Sequence, residues 1–306
     1  MNNPNPTKTG NAAPGHRARK RFGQNFLHDA GVIHRIARSV GANARDHLVE
    51  IGPGQGALTN EILDGGCQLD AVELDRDLIP LLQQRFADQP NFSLHQGDAL
   101  NFDFSSLQRD GEKLRVVGNL PYNISTPLIF HLLGQQQLIQ DMHFMLQLEV
   151  VNRLAAKPGS KTYGRLSVMA QYYCEISSLF EVPPEAFDPI PKVQSAIVRL
   201  TPYGVLPHPA NNVKTLQTLL RTAFNLRRKT LRNSLKTLIS AEQLQALDVN
   251  PTARPETLSL AQFVRIADAI DENGLGADAS NNLNDGTSDA TGEADDSSHS
   301  VDEPTP

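Results

Sequence analysis

The chain has no tryptophan, only two cysteines (Cys67 and Cys174), and no apolar run approaching the roughly 18 residues of a membrane span. Two cysteines form neither a disulfide framework nor a zinc-ligand spacing, so no metal is expected, and their scarcity fits a reducing compartment. Met1 to Gly15 is rich in Asn, Pro and Gly and lacks the apolar core of a signal peptide. A cytoplasmic protein without membrane association is expected. No spare apolar segment stands out for self-association, which points to a monomer. Charge is unevenly missing. No Asp or Glu occurs between 211 and 241, and no Lys or Arg between 271 and 306, where ten of the 34 acidic residues lie. The formal net charge of −6 therefore conceals a body, residues 1–270, with 28 basic against 24 acidic side chains.

Its 306 residues suffice for one large domain and a smaller one. After residues 1–15, expected to be disordered, comes a basic cluster, His16-Arg17-Ala18-Arg19-Lys20-Arg21, and then Phe22-Gly23-Gln24-Asn25-Phe26-Leu27. Such an arm is either merely solvated or tracks a phosphate backbone, with Arg19, Lys20 and Arg21 as contacts. Asp29 is placed to cap a helix that buries Val32, Ile33, Ile36, Ala37 and Val40 and stops at Gly41. Strands and helices then alternate. Strands are expected at 47–51, 69–74, 92–95, 114–117 and 142–146, and helices at 57–63, 78–86, 126–133 and 149–156. That order implies parallel β-α units in a doubly wound α/β sheet. A helix at 165–173 and two strands at 176–182 and 195–200 read as an antiparallel ending. The expected organisation is a main domain over 16–201, a proline-bearing linker over 202–212, a small all-helical C-terminal domain over 213–273, and a disordered acidic tail over 274–306.

Several stretches carry chemistry. Glu50-Ile51-Gly52-Pro53-Gly54-Gln55-Gly56 joins the first strand of the alternation to its helix. Three glycines in alternation, Gly52, Gly54 and Gly56, let the backbone approach a ligand closely, with a helix N-terminus behind them. The G-x-G-x-G spacing differs from the dinucleotide fingerprint, and the acidic Glu50 suits a cationic ligand better than a pyrophosphate. Glu73 ends the next strand, about twenty residues on, where a carboxylate can accept ribose hydroxyls. Asp98 follows the third and can accept from an adenine amine. The three together describe a pocket for an adenosyl group joined to something other than phosphate. S-adenosylmethionine fits, and NAD fits less well.

Val116-Val117-Gly118-Asn119-Leu120-Pro121-Tyr122 reads as a buried strand running into a stiff turn. Asn119 Oδ1 and a backbone carbonyl near Leu120 or Pro121 can accept from an exocyclic amine while Tyr122 stacks on its ring. An ordinary turn would read the same in isolation. In Phe187-Asp188-Pro189-Ile190-Pro191, prolines are placed to hold Phe187 against that ring, although a core plug is the commoner use of such a Phe. Residues 221–236 hold six basic and no acidic side chains, with Phe224, Leu231 and Leu235 as an apolar stripe. On one helix, Arg221, Arg227, Arg228, Lys229 and Arg232 would form a cationic face for nucleic-acid phosphates, or a merely solvated one.

As a set, Arg19 to Leu27, Glu50 to Thr59, Val72 to Asp75, Asp98, Gly118 to Tyr122, Phe187 to Ser195 and Ala223 to Leu235 resemble the ribosomal RNA adenine N6,N6-dimethyltransferase family, in particular its bacterial small-subunit branch. The resemblance spans roughly residues 17 to 270. It implies a Rossmann-like class I methyltransferase sheet with an antiparallel last strand. It also implies contacts to S-adenosylmethionine from Asn25, Leu27, Gly52, Glu73, Asp98 and Asn119, and a target adenine held by Asn119 to Tyr122 and stacked on Phe187. The substrate it implies is a pair of adjacent adenines in a hairpin loop near the 3′ end of 16S rRNA, within the 30S subunit or its assembly intermediate. The same chemistry on large-subunit rRNA, a mainly non-catalytic assembly factor, and an NAD-dependent oxidoreductase are the competing expectations.

Overall fold

The computed structural model describes residues 24–109, 111–225 and 228–273. The expected arm contacts Arg19, Lys20 and Arg21, the two termini expected to be disordered, and Arg227 lie outside these residues. In chain order the elements are β1 (Phe26–Leu27), α1 (Ala30–Val40), β2 (His47–Ile51), α2 (Ala57–Leu63), β3 (Gln68–Glu73), α3 (Ile79–Arg85), β4 (Phe92–Gln96), β5 (Leu114–Asn119) and α4 (Ser125–Leu133). There follow β6 (Ile139–Gln147), α5 (Leu148–Leu154), α6 (Arg165–Tyr173), β7 (Cys174–Val182), β8 (Phe187–Asp188), β9 (Ser195–Pro202), α7 (Val213–Asn225), α8 (Leu231–Ser234), α9 (Ala241–Ala246) and α10 (Leu260–Glu272).

Seven strands form one sheet in the order β4-β3-β2-β5-β6-β9-β7, parallel except for β9, which runs antiparallel to both neighbours. Strands β2 and β5 are buried along nearly their whole length because helices cover both faces of the sheet, and the charged residues within them, Glu50 and Arg115, are hydrogen-bonded. On one face α4 and α5 close over a core containing Val116, Phe144, Leu132 and Val198. On the other, α2 and α3 close over Leu48, Leu69, Leu82 and Phe86. Helices α7 to α10 bury Leu219, Leu235 and Phe263 in a cluster that also contains Met169 and Tyr172 of α6. The helical layer therefore shares its core with the sheet domain rather than hanging from a free linker. The segment between them is pinned as well, by Ala210 N to the Tyr172 hydroxyl at 3.2 Å and Asn211 N to Asp268 Oδ1 at 2.8 Å.

Two expectations change. The basic stretch 221–236 is not one helix: α7 ends at Asn225, and Thr230 stands at the N-cap of the separate α8. Leu231 and Leu235 are buried, but Arg221, Arg228, Lys229 and Arg232 are carried on two helices and the turn between them. The other change is an addition, a two-stranded antiparallel ribbon of β1 and β8 that pairs Leu27 with Phe187 and Phe26 with Asp188.

Helix α1 is fixed at both ends. The Asp29 side chain accepts from Val32 N at 2.9 Å, and Gly41 closes the helix at φ 61°. At its last turn Arg115 donates to Val40 O at 2.7 Å, Asp46 Oδ2 at 2.8 Å and Asp141 Oδ2 at 3.0 Å. A buried guanidinium thus ties a helix terminus to β5 and β6. Replacing Arg115 with Met strands both carboxylates without a counter-charge and is expected to lower stability in urea titration by about 3–5 kcal/mol; an unchanged midpoint would contradict this role.

Candidate active site

At the C-terminal edge of the parallel strands lies a cavity of about 1260 Å³. Every residue expected to hold cofactor or base, from Asn25 to Phe187, lines it. The exposed Arg221, Arg228, Lys229 and Arg232 lie outside it. The glycine loop forms one wall. Gly52 has φ 67° and donates its N–H to Val72 O at 2.9 Å, and a Cβ built on it would meet no atom within 4 Å. The space above Gly52 is thus open to a ligand. Gly56 serves otherwise: it lies outside the cavity, and a Cβ there would stand 2.7 Å from the Phe86 ring. The third glycine is needed for packing, not for ligand approach, which corrects the expectation that all three share one task.

Carboxylates dominate this wall. Glu73 accepts from Asp75 N at 2.8 Å through Oε1 and from Gly54 N at 3.3 Å through Oε2, so its group is aimed by backbone amides. Burial pushes its pKa up, against the opposing pull of those N–H bonds. Glu50 is fully enclosed. Burial pushes its pKa up to about 7; the 2.6 Å bond from the Thr59 hydroxyl works against this and the nearby Glu73 charge adds to it. Asp98 is set by Leu100 N at 3.0 Å and Asn101 Nδ2 at 2.9 Å. Among the described residues the one guanidinium or ammonium lining the cavity is Arg85, which donates to Gln55 O at 2.7 Å. This charge balance suits a cationic ligand and disfavours a diphosphate. The open space at Gly52, the aimed Glu73 and the buried Glu50 fit an adenosyl sulfonium.

The opposite wall is the end of β5. A Cβ on Gly118 would stand 2.7 Å from Ile51 O, so only glycine lets β5 lie this close to β2 here. Asn119 Nδ2 donates to Asn25 O at 3.1 Å, which leaves Oδ1 as the amide's acceptor. Pro121 O already accepts from Ile124 N and Ser125 N, both at 3.1 Å, in the first turn of α4. Leu120 O accepts from no described residue, so of the two carbonyls it is the one left open to a ligand. The Tyr122 hydroxyl lies 3.2 Å from Ser195 Oγ at the start of β9. Phe187, 1% exposed, packs with Ile36, Met145 and Ile197. It is held by the β1–β8 pairing and this packing rather than by prolines alone.

Several contributors were not legible in advance. Gln24 Nε2 donates to Asp75 Oδ2 at 3.0 Å, tying the segment before β1 to the end of β3. His143 of β6 also reaches the cavity; its nearest carboxylate oxygen is Asp141 Oδ1 at 3.6 Å from Nδ1, and neither ring nitrogen has a hydrogen-bond partner among the described residues. No motif marks a lone histidine in a buried strand.

The two glycines predict different failures. Gly52→Ala should fold with a modest loss of about 1 kcal/mol, from its left-handed backbone, yet bind S-adenosylhomocysteine at least about tenfold more weakly by calorimetry. Gly118→Ala should lose about 1–3 kcal/mol of stability because β5 must move off Ile51 O. Equal effects of the two on stability and binding would contradict the assignment.

With this geometry in view, the comparisons with known proteins are direct. The Ribosomal RNA adenine dimethylase family profile matches residues 15–272. The Ribosomal RNA small subunit methyltransferase A of Pseudomonas aeruginosa is 64% identical over 257 residues, covering 84% of this chain and 96% of that protein. Its namesake from Marinobacter nauticus is 61% identical over 260 residues, covering 85% and 94%. Among solved structures, a dimethyladenosine transferase from Plasmodium falciparum superposes with a TM-score of 0.71 at 24% identity, covering 81% of this chain and 98% of that one. The 23S rRNA methyltransferase ErmE superposes with 0.64 at 25% identity, covering 81% and 100%. The sheet with its antiparallel β9 is thus a methyltransferase fold, and the chain belongs to the ribosomal RNA adenine dimethylase family.

Proposed function

We propose that this protein dimethylates N6 of two adjacent adenines in a hairpin loop near the 3′ end of 16S rRNA, using S-adenosylmethionine, in the small subunit or its assembly intermediate. The observation that carries the reading is a pair of acceptors without a partner among the described residues, Asn119 Oδ1 and Leu120 O, at the end of β5 beside a carboxylate-lined cavity. The small-subunit target is supported by relatives more than 60% identical that bear that name, and large-subunit chemistry is correspondingly disfavoured. Asn25, Leu27, Gly52, Gly54, Glu73, Asp98 and Asn119 hold the cofactor, with Glu73 on the ribose hydroxyls and Asp98 on the adenine amine. Tyr122 and Phe187 grip the target base. Arg221, Arg228, Lys229 and Arg232, with the arm residues before 24, take the RNA backbone. On this reading residues 16–201 are catalytic and 213–273 bind RNA, in a cytoplasmic monomer.

S-adenosylmethionine supplies the electrophilic methyl group. The chain's own work is orientation. Two acceptors on the N6 hydrogens turn the nitrogen lone pair out of conjugation with the ring and towards the cofactor side. They also favour the positive charge that develops on that nitrogen. No base is required before transfer, because the alkylated amine becomes acidic and then releases its proton. Positioning therefore outweighs acid–base chemistry. After one methyl is added a single N–H remains for two acceptors, so the monomethylated amine must rotate its methyl aside before the second transfer.

Transfer of labelled methyl to unmethylated small subunits, followed by nucleoside analysis, tests the reading. Dimethyladenosine at the 16S hairpin is expected, and Asn119→Ala should reduce kcat by about 10²–10³. Label in 23S rRNA alone, or none, would overturn it. If Asn119→Ala ended methylation yet left subunit maturation normal, particle binding would be the main role. A pH series adds a second check. Glu50, with its pKa near 7, attracts a cationic cofactor only when ionised. Affinity for S-adenosylmethionine should thus fall as pH drops through about 7 and level off above it, and Glu50→Gln should flatten that dependence. An equally steep profile in the variant would remove Glu50 from cofactor binding.

A further inference from the structure

Among the described residues four large apolar side chains are exposed, and two of them, Ile190 at 65% and Leu74 at 48%, belong to the lining of the same cavity. A side chain that lines a cavity yet is mostly in solvent stands at its rim. Ile190 follows β8, which is anchored to β1, and lies between Pro189 and the buried Pro191. Two prolines restrict the backbone on either side, so the isoleucine is presented stiffly rather than left to fold back onto the protein. Nothing in the packing of the described residues requires an isoleucine there.

Of the two acceptors for the amine, Asn119 is half-buried and Leu120 lies deep. Leu120 is 1% exposed, and Phe187, expected to face the base, is buried as well. An adenine stacked in an RNA loop cannot bring N6 to them without leaving its stack, and leaving costs stacking energy. The gap left behind has two flat apolar walls, which a short branched aliphatic side chain fills well. A phosphate contact is a poorer use of this segment, because its exposed charges are Glu185 and Asp188 against Lys192. What the rim offers an RNA here is an apolar point beside the entrance.

We propose that Ile190 is a wedge that enters the RNA stack in place of the extruded target adenine. This rests on the RNA-adenine reading above and makes Ile190 a positioning residue, which acts on the population of extruded base and not on the reacting atoms.

The test uses small subunits reconstituted on 16S rRNA whose 3′ hairpin is a ligated synthetic segment. With 2-aminopurine at one target position and S-adenosylhomocysteine bound, the wild type should show a fluorescence rise, and Ile190→Ala a rise at least about fivefold smaller. On the all-adenine segment, kcat/KM of Ile190→Ala should fall roughly 10–50-fold. On a segment whose neighbouring adenine is an abasic nucleotide, already unstacked, it should stay within about twofold of wild type. Ile190→Leu should restore most of the loss, and affinity for S-adenosylhomocysteine should be unchanged in both variants. Full extrusion of 2-aminopurine by Ile190→Ala, or an equal loss on both segments, would overturn the wedge. A wild type that methylated neither segment would instead overturn the RNA-adenine reading.

Discussion

The hydrogen bond from Asn119 Nδ2 to the Asn25 carbonyl decides which atom of that amide faces a ligand. An unanchored carboxamide can offer an N–H or an oxygen to the same place, and only the oxygen can receive an amine hydrogen. Asn25 is itself held on both sides in sequence: Gln24 bonds to Asp75, whose N–H in turn sets Glu73, and Phe26–Leu27 pair with Phe187–Asp188. The contacts form a chain from Glu73 through Asn25 to Asn119, with a branch to Phe187. The carboxylate wall and the β5 wall of the cavity are therefore oriented by one short segment. A mutation at Gln24 or Asn25 is felt on both.

The fold delivers these groups to one place through strand order. Strands β2, β3, β4 and β5 all end at the same edge, and each contributes its last residue or the turn after it: Gly52, Glu73, Asp98 and Asn119. The antiparallel β9 brings Ser195 to Tyr122, and the connection from β7 to β9 carries Phe187 and Ile190. Rigidity comes from beneath. Arg115 locks the end of α1 to β5 and β6, and Ile36 of α1 packs with Phe187. The helical layer shares a core with α6, so the basic residues on α7 and α8 keep a set distance from the cavity.

Much of this was legible in the sequence. The alternation of apolar runs and amphipathic segments placed β2 to β6 and α1 to α6, because parallel strands covered on both faces are mostly apolar. Asp29 and Gly41 marked the ends of α1 through capping chemistry. The ribbon of β1 and β8 was not legible, since two residues carry no periodicity. The break after Asn225 was missed because an apolar stripe of Phe224, Leu231 and Leu235 also satisfies one continuous helix; Thr230, a natural cap, was the available signal. Gly52 and Gly56 look alike in sequence but differ in purpose, as Phe86 comes from α3 only in the folded state. The choice of Leu120 O over Pro121 O depends on where α4 begins, and the raised pKa of Glu50 depends on burial. Neither is written in a motif.

In the function proposed above, the Asn119 amide is held by its N–H donor so that its oxygen can serve the target amine. Asn119→Asp tests this directly, because aspartate keeps an acceptor of the same size but cannot donate to Asn25 O and is repelled by it. Methyl transfer to unmethylated small subunits should fall at least about 100-fold, a loss on the scale of one preorganised catalytic hydrogen bond, and S-adenosylhomocysteine affinity should fall with it as the Gln24–Leu27 segment loses its anchor. Transfer and affinity within about twofold of wild type would show that any acceptor suffices and that the anchored amide is not what organises the site.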